Sequence, residues 1–183
     1  MIPQSKTLVI DASIARAAGG EHSQHPDSSH SRDFLKAVLD ICHKIGMTPA
    51  IKEEWDRHES HFARSWRKTM VARKKLIAKA VPENTGLRAA VDGLPMRDKD
   101  EATQRKHKAA MLKDCHLLEA ANAFDQRIFS ADDIVRHHFR DAAAHIPEVR
   151  PVLWGNPVKH PERVCAWLEA GVPDQDEWRL STP

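Results

Sequence analysis

The chain has 183 residues, enough for one domain with a sizeable core and short for two. Hydrophobic residues make up 41% and charged residues 30%, the balance of an ordinary globular fold; 28 Lys and Arg against 26 Asp and Glu leave a net charge of +2, which neither demands nor excludes a polyanionic partner. No apolar run approaches the roughly 18 residues that span a bilayer, the N-terminus lacks a secretory leader, and Cys42, Cys115 and Cys165 form no disulfide or zinc pattern, so a cytoplasmic protein with no membrane partner is expected.

Thr7-Leu8-Val9-Ile10 is a continuous apolar run of the kind found in a strand buried on both faces of a parallel sheet, and Asp11 stands at its carboxyl end. The Ser-, His- and Gly-rich stretch 17–30 reads as an exposed loop. Phe34, Leu35, Val38, Leu39, Ile41, Cys42 and Ile45 then recur at helical spacing, with Ser29 or Ser31 as N-cap and Gly46 as stop. Met47 to Ile51 is expected as a second strand, with a helix opening at Lys52-Glu53-Glu54-Trp55. From Phe62 to Val81 the spacing of Trp66, Met70, Ile77 and Val81 predicts one helix ended by Pro82. A short helix between turns is expected in 83–96, and Asp98 to Phe124 predicts one long helix or two with a kink. Arg127 to Ser130 reads as a third strand, Asp132-Asp133 as the start of a helix to Ala144, Val149 to Trp154 as a fourth strand, and Pro161 to Ala170 as a last helix before an irregular tail. Alternating strands and helices give a three-layer α/β/α sandwich: one domain over 1–183 around a mainly parallel sheet of four or five strands, its core at about 7–154 and a C-terminal helix and tail at 155–183.

Sheets of this kind carry their sites at the carboxyl ends of strands. Asp11, Glu54 and Asp132 each follow a strand and should emerge on one edge. Asp114 begins a helical face continued by Leu117, Leu118, Ala121 and Phe124, which turns its carboxylate toward the core. Carboxylates gathered together repel, and a hard divalent cation such as Mg²⁺ or Mn²⁺, which prefers oxygen ligands, relieves the repulsion. Glu53 competes with Glu54, and Asp133 with Asp132, for the same roles. Taken singly, each acid is equally readable as a helix cap favoured by the helix dipole.

The segments Leu8-Val9-Ile10-Asp11-Ala12-Ser13, Ile51-Lys52-Glu53-Glu54-Trp55, Asp114-Cys115-His116-Leu117-Leu118-Glu119-Ala120-Ala121 and Ile128-Phe129-Ser130-Ala131-Asp132 resemble, in order and spacing, the four signature blocks of PIN-domain nucleases. The resemblance covers Thr7 to Trp154, and only the combination of blocks is specific. It implies that Asp11, Glu54, Asp114 and Asp132 hold one or two Mg²⁺ or Mn²⁺ ions, that Ser130 supports the last acid or a bound water, and that the protein is a metal-dependent endoribonuclease. An RNA substrate, a protein inhibitor of antitoxin type and self-association are the partners it allows. Its rivals are a PIN-like module that binds RNA or protein without cleaving, and another metal-dependent phosphoesterase on the same sandwich.

Between Arg64 and Lys79 lie seven basic residues and no acid. On one continuous helix Arg64, Lys68, Lys75 and Lys79 would share a face able to meet successive phosphates, with Lys106, Lys108 and Lys113 extending it; a plain solvated face is the competing reading. Among the twelve histidines, His22, His25, His30, His58 and His61 lack the spacing or Cys partners of a zinc site. Cys115 beside His116 reads as a buried thiol rather than a nucleophile, Trp55 and Trp66 read as core, and no Gly-rich phosphate loop is present.

Overall fold

In the computed structural model, which describes residues 5–96 and 100–181, the strands are β1 (Thr7–Ile10), β2 (Lys44–Met47), β3 (Leu76–Ala78), β4 (Arg127–Phe129) and β5 (Leu153–Gly155). They form one all-parallel sheet in the order β3-β2-β1-β4-β5. The helices are α1 (Ala12–Ala17), α2 (Pro26–Asp40), α3 (Pro49–His58), α4 (His61–Ala72), α5 (Thr85–Asp92), α6 (Glu101–Ala123), α7 (Asp133–Ala142) and α8 (Pro161–Glu169). Helix α2 packs on α4 and α8, while α6 packs on α5 and α7, giving the expected three layers. Central β1 carries Leu8, Val9 and Ile10 at no more than 2% exposure, as burial on both faces requires. Among the described residues no helix is long and apolar enough to cross a membrane.

From β1 the chain builds outward through β2 to β3, then returns along α5 and α6 to place β4 on the other side of β1. The direction of winding thus reverses between β1 and β4, and a crevice opens at their carboxyl ends, where ligands bind in open α/β sheets. The backbone N–H of Asp11 donates to the Phe129 carbonyl at 2.9 Å, so the two strand ends are locked together there.

Several boundaries differ from those expected, for identifiable reasons. The stretch 17–30 is not all loop: α1 runs to Ala17, and α2 starts at Pro26, capped by His25, whose Nδ1 accepts from the Asp27 N–H. Three carbonyls, of Ala18, Gly20 and Ser23, accept from the Arg32 guanidinium and hold the intervening turn against α2. Gly46 lies inside β2 and stops no helix. A Cβ there would fall under 3.0 Å from the Phe124 ring, so this position accepts only hydrogen. The second strand, expected over Met47 to Ile51, lies instead at Lys44–Met47, because Thr48 caps α3 through Oγ1, which accepts from the Ile51 N–H, and Pro49 opens the helix.

The predicted helix over 62–81 ends at Ala72. Lys74 turns left-handed (φ 56°), and the chain re-enters the sheet as β3, paired with Ile45 to Met47 of β2. Strand β5 occupies 153–155 rather than 149–154, because Pro147–Val149 forms a 3₁₀ turn. The tail is not irregular throughout: Trp154 N–H donates to the Trp178 carbonyl and Leu180 N–H to the Val152 carbonyl, so residues near Arg179 cover the β5 edge antiparallel. Trp178 and Leu180 join the continuous core, which therefore extends well past Trp154. The start expected for α6 at Asp98 lies outside the described residues; the helix is seen from Glu101, with the Asp100 carboxylate accepting from Thr103 N–H.

Candidate metal centre and its acid pocket

Asp11, Glu54, Asp114 and Asp132 all line one small pocket of about 130 Å³, together with Ser13, Arg16, His58 and Lys113. Each acid reaches it from a different element. Asp11 is the residue at which β1 passes into α1; Glu54 projects from α3, Asp114 from α6, and Asp132 from the turn between β4 and α7.

Asp11 is 8% exposed, and two hydroxyls converge on its Oδ2: Ser130 donates at 2.8 Å, and Ser13 makes a shorter contact. The same hydroxyls also accept, Ser130 Oγ from Asp132 N–H at 3.1 Å and Ser13 Oγ from Ala131 N–H at 3.1 Å. One polar knot therefore fixes the ends of β1 and β4 and sets the direction of the Asp11 carboxylate. Behind it, Trp55 Nε1 donates to the Ile10 carbonyl at 2.9 Å, which ties α3 to the same strand end.

Asp114 sits deep in the pocket wall. Burial raises its pKa to about 7, and Asp11, Glu54 and Asp132 push it the same way, against a partial offset from the Lys113 ammonium. Such a shift comes first from burial of the carboxyl, with the neighbouring carboxylates adding to it. Glu54 has Lys113 Nζ at 3.4 Å and His116 Nε2 at 3.5 Å. The His116 ring directs Nδ1 at the Lys113 carbonyl, 2.8 Å away, while its buried Nε2 completes no hydrogen bond among the described residues, although Glu54 is near.

The competitions between adjacent acids are resolved by where the side chains go. Glu53 is 64% exposed on the outer face of α3, paired with Arg57, and takes no part in the pocket. Asp133 turns the other way from Asp132, pairs with Lys159 at 2.8 Å, and is held below the usual carboxylate range by the Lys159 and Asn156 hydrogen bonds, which outweigh its partial burial. Neither supports the site. Asp132 combines both readings of an acid at a helix start: Oδ1 accepts from Val135 N–H at 2.9 Å as the α7 cap, and the residue also lines the pocket.

The basic face expected of Arg64, Lys68, Lys75 and Lys79 does not exist, because only the first two lie on α4. Lys75 buries its ammonium at the carboxyl end of α2, donating to the Val38, Leu39 and Ile41 carbonyls, and burial lowers its pKa. Lys79 donates to the Ala123 carbonyl and stands over the Phe124 ring, while Arg64 pairs with Glu59 at 3.2 Å. Lys108 is likewise turned onto the Asp92 carbonyl.

Ser13, Arg16, His58 and Lys113 are pocket residues that the sequence reading did not select as part of the site. Helical spacing offered a signal for two of them, since Ser13 and Arg16 are on the first turns after Asp11 and lie three apart. Burial pushes the Cys115 thiol up to about 11, so it is protonated at neutral pH and is no nucleophile.

Among the described residues no three His, Cys, Asp or Glu side chains stand close enough, as they lie, to share one ion. The donor set nevertheless fits Mg²⁺ or Mn²⁺: all four candidate ligands are carboxylates, and Mg²⁺ commonly takes one or two carboxylates and keeps several waters. No family model and no curated protein matches the chain.

Proposed function

We propose that the protein is a PIN-like, divalent-metal-dependent phosphodiesterase that cleaves RNA internally. The observation that carries this reading is the single pocket lined by four carboxylates, with Asp114 raised to about 7 by burial and by the other three. The preference for RNA rests on the resemblance of the four sequence blocks. A cytoplasmic setting, a protein inhibitor and self-association belong to the same reading.

Asp11, Glu54, Asp114 and Asp132 would hold the ion or ions, which when bound lower the pKa of water and stabilise charge on phosphate oxygens. The residues of the chain do the rest. Ser13 and Ser130 orient Asp11 by hydrogen bonds to one of its oxygens. Arg16 and Lys113 place positive charge on the pocket wall, where a phosphodiester anion would sit, and His58 provides an imidazole able to carry a proton at the same wall. No covalent nucleophile is needed.

Purified protein incubated with mixed RNAs and Mn²⁺, beside Asp11→Asn, tests the proposal. Cleavage by the wild type that is lost in the variant supports it. No cleavage by either, with equal RNA binding, sinks the nuclease reading and favours a binding module; hydrolysis of a small phosphomonoester in preference to RNA points to the other phosphoesterase class.

A further inference from the structure

The two edges of the sheet are treated differently. The β5 edge is covered by the chain segment around Arg179, whereas among the described residues no strand lies beyond β3. Lys75 accepts through its carbonyl from Ile45 N–H, and Lys79 donates through its N–H to the Met47 carbonyl. By the alternation of a strand, Leu76 and Ala78 therefore turn their N–H and C=O groups outward. Beside this edge lies a cavity of about 600 Å³, between β3 and the helices α3 and α4. Its apolar lining includes Met47, Leu76 and Val71, the last 57% exposed and one of only two large apolar side chains so exposed among the described residues. Lys52, Arg67, Lys68 and Lys79 stand around it. The acids nearby are Asp56, paired with Lys52 and Arg67, and the buried Glu59, paired with Arg67.

We propose that this groove and the β3 edge form a docking site for an extended acidic peptide segment of a partner protein, which adds as a sixth strand. Main-chain pairing to Leu76 and Ala78 supplies the generic affinity, alternate apolar side chains enter the groove over Val71 and Leu76, and acidic side chains meet Lys68 and Lys79, since Lys52 and Arg67 are already paired with Asp56 and Glu59. A short edge flanked by lysines guards against pairing with copies of itself, since Lys68 and Lys79 would face their own like charges; the same lysines favour an acidic strand. Nucleic acid fits less well. None of the lining residues is aromatic, so no ring is offered to a base, and Trp55 and Trp66 are buried with their indole N–H groups given to Ile10 and Leu35. The proposal is independent of the metal-dependent reading.

The test uses the full chain in EDTA, so that cleavage plays no part. The probes are a fluorescein-labelled, end-capped peptide of alternating Glu and Val, its counterpart with Lys for Glu, and a labelled oligouridylate. The acidic peptide is expected to bind at least tenfold more tightly than the basic one. Lys68→Glu and Val71→Glu, both on the exposed side of α4, should each weaken it tenfold or more. Ala78→Pro removes an outward N–H without touching the β2 ladder and should abolish binding, with melting temperatures of all three variants compared to confirm folding. Equal or absent binding of the two peptides overturns the proposal. So does acidic-peptide affinity that Val71→Glu and Ala78→Pro leave unchanged, or oligouridylate binding that alone responds to the variants.

Discussion

Replacing Asp114 by Asn removes a carboxyl that the fold prefers to keep protonated, so the variant should be more stable than the wild type at alkaline pH. In the unfolded chain Asp114 releases its proton near 3.8; in the folded chain it does so at about 7. Between those values the folded state binds the extra proton, so stability falls as pH rises through the window and is flat above it. At ~1.36 kcal/mol per pH decade the displacement corresponds to about 4 kcal/mol, and solvent at the pocket mouth reduces the expected gain to about 2–3 kcal/mol. For a chain of this size that is a rise in melting temperature of roughly 4–12 °C at pH 8, shrinking toward zero at pH 4, where both side chains are neutral. Chemical denaturation of both proteins in EDTA from pH 4 to pH 8 measures it directly. Parallel stability curves would refute the account of Asp114 as a carboxyl strained by burial and by three neighbouring acids.

Ser130→Ala takes a donor from Asp11 and leaves the Asp132 N–H without its partner, and calorimetry should show a loss of about 1–3 kcal/mol. His43 behaves oppositely to Asp114. It is buried, its Nδ1 accepts from Lys6 N–H and its Nε2 meets the Leu168 carbonyl; burial chiefly, with Lys75 and Lys6, lowers its pKa below 6.5, against the pull of Leu168. Stability is therefore present above pH 6.5 and lost as pH falls, and His43→Gln should flatten the drop on the acid side of pH 6.5 in urea titrations. Gly46→Ala forces a methyl against the Phe124 ring, with an expected cost of about 1–3 kcal/mol in thermal melts, partly restored by adding Phe124→Leu.

The sandwich and the acid positions were legible because they depend on local signals. The run Leu8-Val9-Ile10 has one sensible use, and Asp114 heads an apolar helical face whose geometry fixes its direction. What escaped was decided by distant partners. The stretch from Lys74 to Lys79 shows why: Lys74, Lys75, Leu76 and Ala78 are good helix formers, yet pairing with β2 and the capping of α2 by Lys75 turn the chain at Lys74 and draw Leu76 to Ala78 into a strand. Gly46 reads as a helix stop unless one knows that Phe124, far along the chain, lies on it. Glu53 and Glu54 differ only in which side of α3 they occupy, and that depends on where the helix begins. Thr48 and Pro49 settled it by starting the helix earlier than the apolar pattern suggested.

The bond from Ser130 to Asp11 joins residues 119 positions apart. A ribosome adding 5–20 residues per second needs about 6–24 s to travel that distance, and for all of it the growing chain carries Asp11 without its companion. The pocket is thereby left incomplete in the nascent polypeptide. The four acids can be brought together only after β4 has emerged and docked beside β1, so synthesis itself sets the moment at which the pocket closes.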